Sequence, residues 1–217
     1  MKIIFIIAIV ALLSTNIASA QFGDDIRDSW QKTITVPNSQ AAIVEKLFTS
    51  WGKVFPGCYV EAFDKFKKTG KADKVEIYGN PLNFQVDFAP KNGFLELNGT
   101  YTYIYEGEDA NYQHGDTITK SHILTAVYWN LPNGNKLFGI SIIDSGEVFE
   151  ECALAFYEYN AAKGTMTPRA DIVKKVMTKI DNDTEVFIHL PKEGRDLKYY
   201  DYASEGFKVI KWNGNGF

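Results

Sequence analysis

Histidine and cysteine are scarce: His114, His122 and His189, with Cys58 and Cys152, are all that the chain holds of either type. No two histidines stand one helical turn apart, and no cysteine pair has the spacing of zinc ligands, so a zinc centre is unsupported. His122 and His189 fall inside strand patterns, where a lone histidine is usually structural. Also absent are Gly-x-Ser-x-Gly, a glycine-rich phosphate loop and a dinucleotide fingerprint, which removes the commonest hydrolase and nucleotide-binding signatures. No cofactor is implied. Excess positive charge is missing as well, with 23 Lys and Arg against 27 Asp and Glu. That balance argues against a nucleic-acid partner.

Long apolar runs are lacking outside the N-terminus. Met1-Lys2 leads into an apolar run from Ile3 to Leu13, a short polar step and Ala18-Ser19-Ala20. This is the pattern of a secretory signal peptide, with cleavage expected before Gln21. A membrane anchor needs about 20 apolar residues, and Ser14, Thr15 and Asn16 interrupt this run too early. No Cys follows the cleavage site to invite lipid attachment, so the exported chain is expected to be soluble, with no membrane span. Cleavage removes only Lys2 among the charged residues, leaving 22 basic against 27 acidic and a formal charge of −5. Residues 21–217 suffice for one domain with a substantial core.

An oxidising compartment gives Cys58 and Cys152 two readings. A bridge would close a loop of about 95 residues, stabilising by about 4 to 5 kcal/mol. Both neighbourhoods are apolar, however, as two buried thiols require. Neither cysteine has a basic neighbour in sequence to activate it as a nucleophile.

What is present is strand chemistry around a central hairpin. Ile118 to Leu131 is rich in β-branched and aromatic residues, and both of its faces are apolar near the end, which places it mid-sheet. Asn133-Gly134 accepts positive φ at a tight turn, and Leu137 to Ile143 returns. Before it, Val44, Leu47, Phe48, Trp51 and Phe55 make one helix face, with Asn38 and Ser39 as N-cap candidates. Pro56-Gly57 breaks that helix, and Tyr59, Phe63 and Phe66 stripe a second one that stops at Gly70. Val75 to Tyr78, Phe84 to Phe88 and Phe94 to Glu106 alternate as strands, as does Val148 to Tyr159. Thr167-Pro168 offers a cap and first-turn proline to a third helix bearing Ile172, Val173, Val176, Met177 and Ile180. Three shorter strand patterns follow, the last, Phe207 to Trp212, with Phe207 and Val209 on one face.

The expected fold is therefore α+β: one antiparallel sheet covered on one face by the N-terminal helical hairpin and the later helix. A curved, partly closed β-barrel is the alternative. For function, a row of hydroxyl-bearing rings, Tyr101, Tyr103 and Tyr105, is the candidate ligand-binding feature, since such a row lines a cleft or forms a plain sheet layer. The acidic loop from Glu106 to Asp116 lacks the ligand pattern of a calcium site. Glu147, Glu150, Glu151 and Glu158 offer carboxylates for a hydrolase, but nothing singles out a pair.

Lys211-Trp212-Asn213-Gly214-Asn215-Gly216-Phe217, after Leu190-Pro191-Lys192-Glu193-Gly194-Arg195-Asp196-Leu197, resembles the terminal strands of small uncharacterised exported proteins of gut Bacteroidetes. The resemblance spans Leu190 to Phe217 only. It implies a periplasmic or secreted location in a Gram-negative bacterium and no defined activity. The functional expectation is a non-catalytic exported binding protein for a glycan, a small molecule or an envelope protein. An inhibitor of a hydrolase, presenting the Glu106 to Asp116 loop, and a carboxylate-dependent hydrolase are the alternatives.

Overall fold

The computed structural model describes residues 30–77, 80–104, 106–107, 113–146, 150–180, 187–201 and 204–217. Its frame is an eight-stranded antiparallel sheet. The strands are β1 (Ile34–Thr35), β2 (Ala72–Ile77), β3 (Asn80–Ala89), β4 (Phe94–Ile104), β5 (Thr117–Asn130), β6 (Lys136–Gly146), β7 (Glu150–Asn160) and β8 (Thr165–Pro168). Their order is β1-β8-β7-β6-β5-β4-β3-β2, so β2 to β8 meander and β1 joins the far side. β5 lies mid-sheet, as its two apolar faces require, pairing with β4 from Phe94 opposite Val127 to Ile104 opposite Thr117. The sheet is open and not a barrel: β1 and β2 are its two edges.

The turn between β5 and β6 is tighter on one side than Asn133-Gly134 implies. The Gly134 N–H donates to the Leu131 carbonyl at 3.1 Å and the Leu131 N–H to the Asn135 carbonyl at 3.0 Å. Only Gly134 takes positive φ, at +83°. Pro132 and Asn133 thus occupy the centre of an ordinary turn closed by a left-handed glycine, where proline's fixed φ fits.

One face of the sheet carries the helical hairpin, α1 (Ile43–Val54) and α2 (Cys58–Thr69). Val44, Leu47, Phe48 and Trp51 are buried at the spacing of one helix face. They meet Leu95, Leu97, Leu124, Ala126, Phe138 and Tyr157 from alternate positions of the strands. The α1 helix starts later than Asn38 and Ser39, at Ile43, with Ala42 in the cap position and no side-chain cap. It ends before Pro56, which disfavours helical geometry at Phe55. The two helices cross closely at Gly52, where a Cβ would come within 2.5 Å of Val60 Cγ2. Gly70, at φ +75°, closes α2 through its N–H to the Phe66 carbonyl. Beneath the hairpin, the buried Tyr157 hydroxyl donates to the Trp30 carbonyl at 2.6 Å, and burial pushes the Tyr157 hydroxyl pKa strongly upward.

The third helix corrects one expectation. Thr167 and Pro168 end strand β8, and the helix α3 (Ala170–Met177) begins after Arg169, whose N–H bonds the Phe156 carbonyl at 2.8 Å. It lies on the sheet's other face, not beside the hairpin. There Ile172, Val176 and Ile180 join Phe94, Val127, Trp129, Leu131, Leu137 and Phe156 in a second core. The last strands complete this layer as a separate three-stranded sheet of β9 (Ile188–His189), β10 (Leu197–Asp201) and β11 (Gly206–Ile210), ordered β11-β10-β9. Helices therefore cover both faces within the expected α+β class.

Two hydrogen bonds and two ring contacts fix the second layer. Ser141 Oγ, buried in the large sheet, donates to the Ile188 carbonyl at 2.7 Å. Trp129 Nε1 donates to the Arg195 carbonyl at 3.0 Å, and its ring stacks on Trp212 at 5.7 Å and meets Phe217 edge-on at 5.4 Å.

Candidate functional site

The residues with most to say about function lie on the outer face of the small sheet. β10 and β11 pair from Leu197 opposite Ile210 to Asp201 opposite Gly206, and β9 adds His189 opposite Lys198. Side chains alternate across a strand. Ile188, Leu197, Tyr199 and Ile210 therefore turn inward and are buried, while His189, Lys198, Tyr200, Phe207 and Val209 share the outward face. Phe207 is 60% exposed and Val209 46%. The Phe207 ring contacts Tyr200 edge-on at 5.3 Å and His189 at 5.5 Å.

This arrangement costs stability. Burying a phenylalanine is worth about 1.5 to 3 kcal/mol, and Phe207 forgoes much of it. Among the described residues, Val54, Ile104 and Met177 are exposed hydrophobics too, but each sits on a different element. Phe207 and Val209 are two positions apart on one strand face, so their exposed surfaces join. An aromatic and aliphatic surface beside a cation, Lys198, is suited to contact rather than to bond-making. His189 stays neutral more readily than a free histidine, through burial first and the Lys198 charge second.

The sequence-derived candidates distribute differently. Tyr101 and Tyr103 lie in β4 opposite Lys120 and Ile118, but their side chains, and all of Tyr105, lie outside the described residues. Cys58 opens α2, half-buried against the first core. Cys152 lies in β7 opposite Ile143, with its side chain outside the described residues. In the Glu106 to Asp116 loop, 108–112 are outside them too, and Asp116 accepts the Gln113 N–H at 2.7 Å.

The carboxylates form two groups. Glu158 accepts from Asn135 at 2.7 Å, Asn133 at 3.0 Å and Arg169 at 2.8 Å. The Asn135 bond, then those from Asn133 and Arg169, hold its carboxyl below the ordinary range against partial burial. An anion tied by three donors pins the β5–β6 turn to α3 and makes a poor proton donor. Glu147 lies outside the described residues, as do the side chains of Glu150 and Glu151. Glu96 and Asp87 lie directly opposite on β4 and β3. Burial pushes Glu96 up, against the hydrogen bond from Thr125, while Lys192 pairs with Asp87. They are neighbours on one sheet face, not groups facing across a cleft. Among the described residues no cluster of three or more His, Cys, Asp or Glu could hold a metal ion, and no helix is long and apolar enough to cross a membrane.

Among the described residues, the fold and this surface define an α+β protein of two antiparallel sheets, the smaller of which exposes an aromatic face. The chain matches no protein-family model, and neither a curated protein nor a solved structure shows significant similarity to it. The outward pairing of Phe207 and Val209 was visible in the alternation of Gly206 to Ile210. Their significance was not, because exposure depends on the inward residues finding a second core.

Proposed function

We propose that this is a non-catalytic, exported binding protein whose contact surface is the outer face of the small sheet. The single observation that carries this reading is the exposed pair Phe207 and Val209, flanked by Tyr200 and His189. The N-terminal signal pattern supports export. The settled, salt-bridged state of Glu158 and the side-by-side placement of Asp87 and Glu96 favour binding over carboxylate hydrolysis.

A thermal-shift screen of residues 21–217 against glycans, peptidoglycan fragments, small metabolites and peptides tests it. A ligand at a hundred times its dissociation constant stabilises the folded state by about 2.7 kcal/mol. The Phe207→Ser/Val209→Ser double variant should fold and lose that shift. A hit that survives unchanged in the double variant would place binding elsewhere.

A further inference from the structure

The chain carries five Asn-Gly pairs, beginning at Asn92, Asn98, Asn133, Asn213 and Asn215. In such a pair the glycine nitrogen, unhindered by a Cβ, can approach the asparagine side-chain carbonyl closely. Two of the pairs form the same turn. In Asn133-Gly134-Asn135 and in Asn213-Gly214-Asn215 the glycine takes positive φ, +83° and +96°. In both, the first asparagine's Oδ1 accepts the N–H two residues on, at 3.0 and 2.9 Å. They differ in what else is tied. At the first, the Gly134 N–H donates to the Leu131 carbonyl at 3.1 Å and Asn133 Nδ2 to Glu158 Oε1 at 3.0 Å. At the second, neither the Gly214 N–H nor Asn213 Nδ2 has an acceptor among the described residues, and Asn213 is exposed. The other three pairs are held. The Gly93 N–H donates to the Pro90 carbonyl at 3.2 Å, Asn98-Gly99 lies in the ladder between β3 and β5, and Gly216 is buried against Ile172.

We infer that Asn213 is a site of spontaneous deamidation, the first of the five to react, with water as the co-reactant. The Gly214 nitrogen gives its proton to solvent base and bonds to Asn213 Cγ; the Cγ–Nδ2 bond breaks, and ammonia leaves with a proton from solvent. Water then opens the resulting succinimide at either carbonyl. The product is an aspartyl residue, or an isoaspartyl one whose β-carbon lies in the main chain. Negative charge builds on Oδ1 during the attack, where the Asn215 N–H already points. Asn133 has the same donor on its oxygen, but its nucleophile and its leaving group are both engaged. Freeing them costs two hydrogen bonds, one of them to a carboxylate. The modification reaches the second core. The Asn213 N–H closes a turn onto the Gly216 carbonyl at 3.0 Å, and that turn delivers Phe217 to its place among Trp129, Phe156 and Trp212. An isoaspartyl link lengthens the turn's main chain and loosens the ring cluster.

The test holds the purified protein in warm, mildly alkaline buffer and follows the tryptic peptides 121–136 and 212–217 by mass spectrometry. Electron-transfer fragment ions locate each change and separate isoaspartyl from aspartyl. Asn213 should convert from amide to acid about tenfold faster than Asn133. In urea concentrated enough to unfold the chain, the two Asn-Gly-Asn segments should react at similar rates, since the folded turns alone separate them. Tryptophan emission of the parent should shift to the red as the isoaspartyl form accumulates, while Asn213→Gln keeps its native emission through the same incubation. Absence of conversion at Asn213 overturns the inference. So does Asn92, Asn133 or Asn215 reacting as fast as Asn213 in the folded protein. A preference for Asn213 that survives in urea also overturns it, because that preference would belong to sequence neighbours and not to the turn. Emission that stays native as the isoaspartyl form accumulates overturns the link to the second core.

Discussion

Ser141 Oγ donates to the Ile188 carbonyl at 2.7 Å, and this buried bond joins the large sheet to the small one. Ser141 stands between Thr125 of β5 and Leu154 of β7 and is 1% exposed, so its hydroxyl is tolerated because β9 supplies an acceptor. Ser141→Ala leaves that carbonyl buried without its donor and should cost about 1 to 3 kcal/mol in urea denaturation. Amide exchange at Ile188 and Tyr199 should quicken more than at Leu124. Uniform quickening would show that the two sheets unfold as one unit.

Phe217 is 3% exposed and sits between Trp129, Phe156 and Trp212. Phe217→Ala should cost about 3 to 5 kcal/mol by the usual cost of removing a buried ring. Tryptophan emission should shift to the red as Trp212 and Trp129 lose their cover. A loss under about 1 kcal/mol would mean that the rings close over the gap.

Gly139 is small because two rings lie on it. An added Cβ would come within 2.9 Å of Phe156 Cε1 and of Trp129 Cζ3. Gly139→Ala should cost about 1 to 3 kcal/mol through overpacking, with the near-ultraviolet signal of Trp129 altered. A neutral result would show that both rings can slide outward together.

Acid should weaken the fold partly through Glu158. Its folded pKa lies below the ordinary 4.5, so its stabilisation is complete above that value and is lost as pH falls through the folded pKa. Because the group is partly exposed, solvent screening leaves about 1 kcal/mol at pH 7. Glu158→Gln should lose that at pH 7 and nothing well below pH 4. Glu96 has the opposite sign: burial raises its folded pKa, so Glu96→Gln should gain stability at pH 7, and the gain should shrink as pH falls toward 4.5. Parallel melting curves for both variants across this range check the signs.

Much of the fold was legible where local physics decides it. The stripe of Val44, Leu47, Phe48 and Trp51, the stop at Gly70 and the two apolar faces of β5 all follow from spacing. Thr167-Pro168 misled because a proline that suits a helix's first turn also suits a strand's end, and the choice was made by pairing with Tyr157 and Glu158. The face taken by α3 was illegible for the same reason. Its apolar stripe fits either side of the sheet, and only the remote partners Trp129 and Phe156 choose. The candidate surface was half visible: alternation placed Phe207 with Val209, as it placed Tyr101, Tyr103 and Tyr105 on one face of the Phe94 to Glu106 strand, whose tyrosine side chains lie outside the described residues.

The second core also orders events in time. Val127, Trp129, Leu137 and Phe156 belong to strands complete by Asn160, yet the elements that shield them, α3, the small sheet and Phe217, all come later in the chain. A chain that emerges N-terminus first during synthesis would present the hairpin side finished and the opposite side greasy until Phe217 had emerged. Folding during synthesis would therefore pass through a stage in which a nearly whole sheet is sticky on one side. A holding chaperone at the exit, or rapid docking of α3, would matter most in that interval.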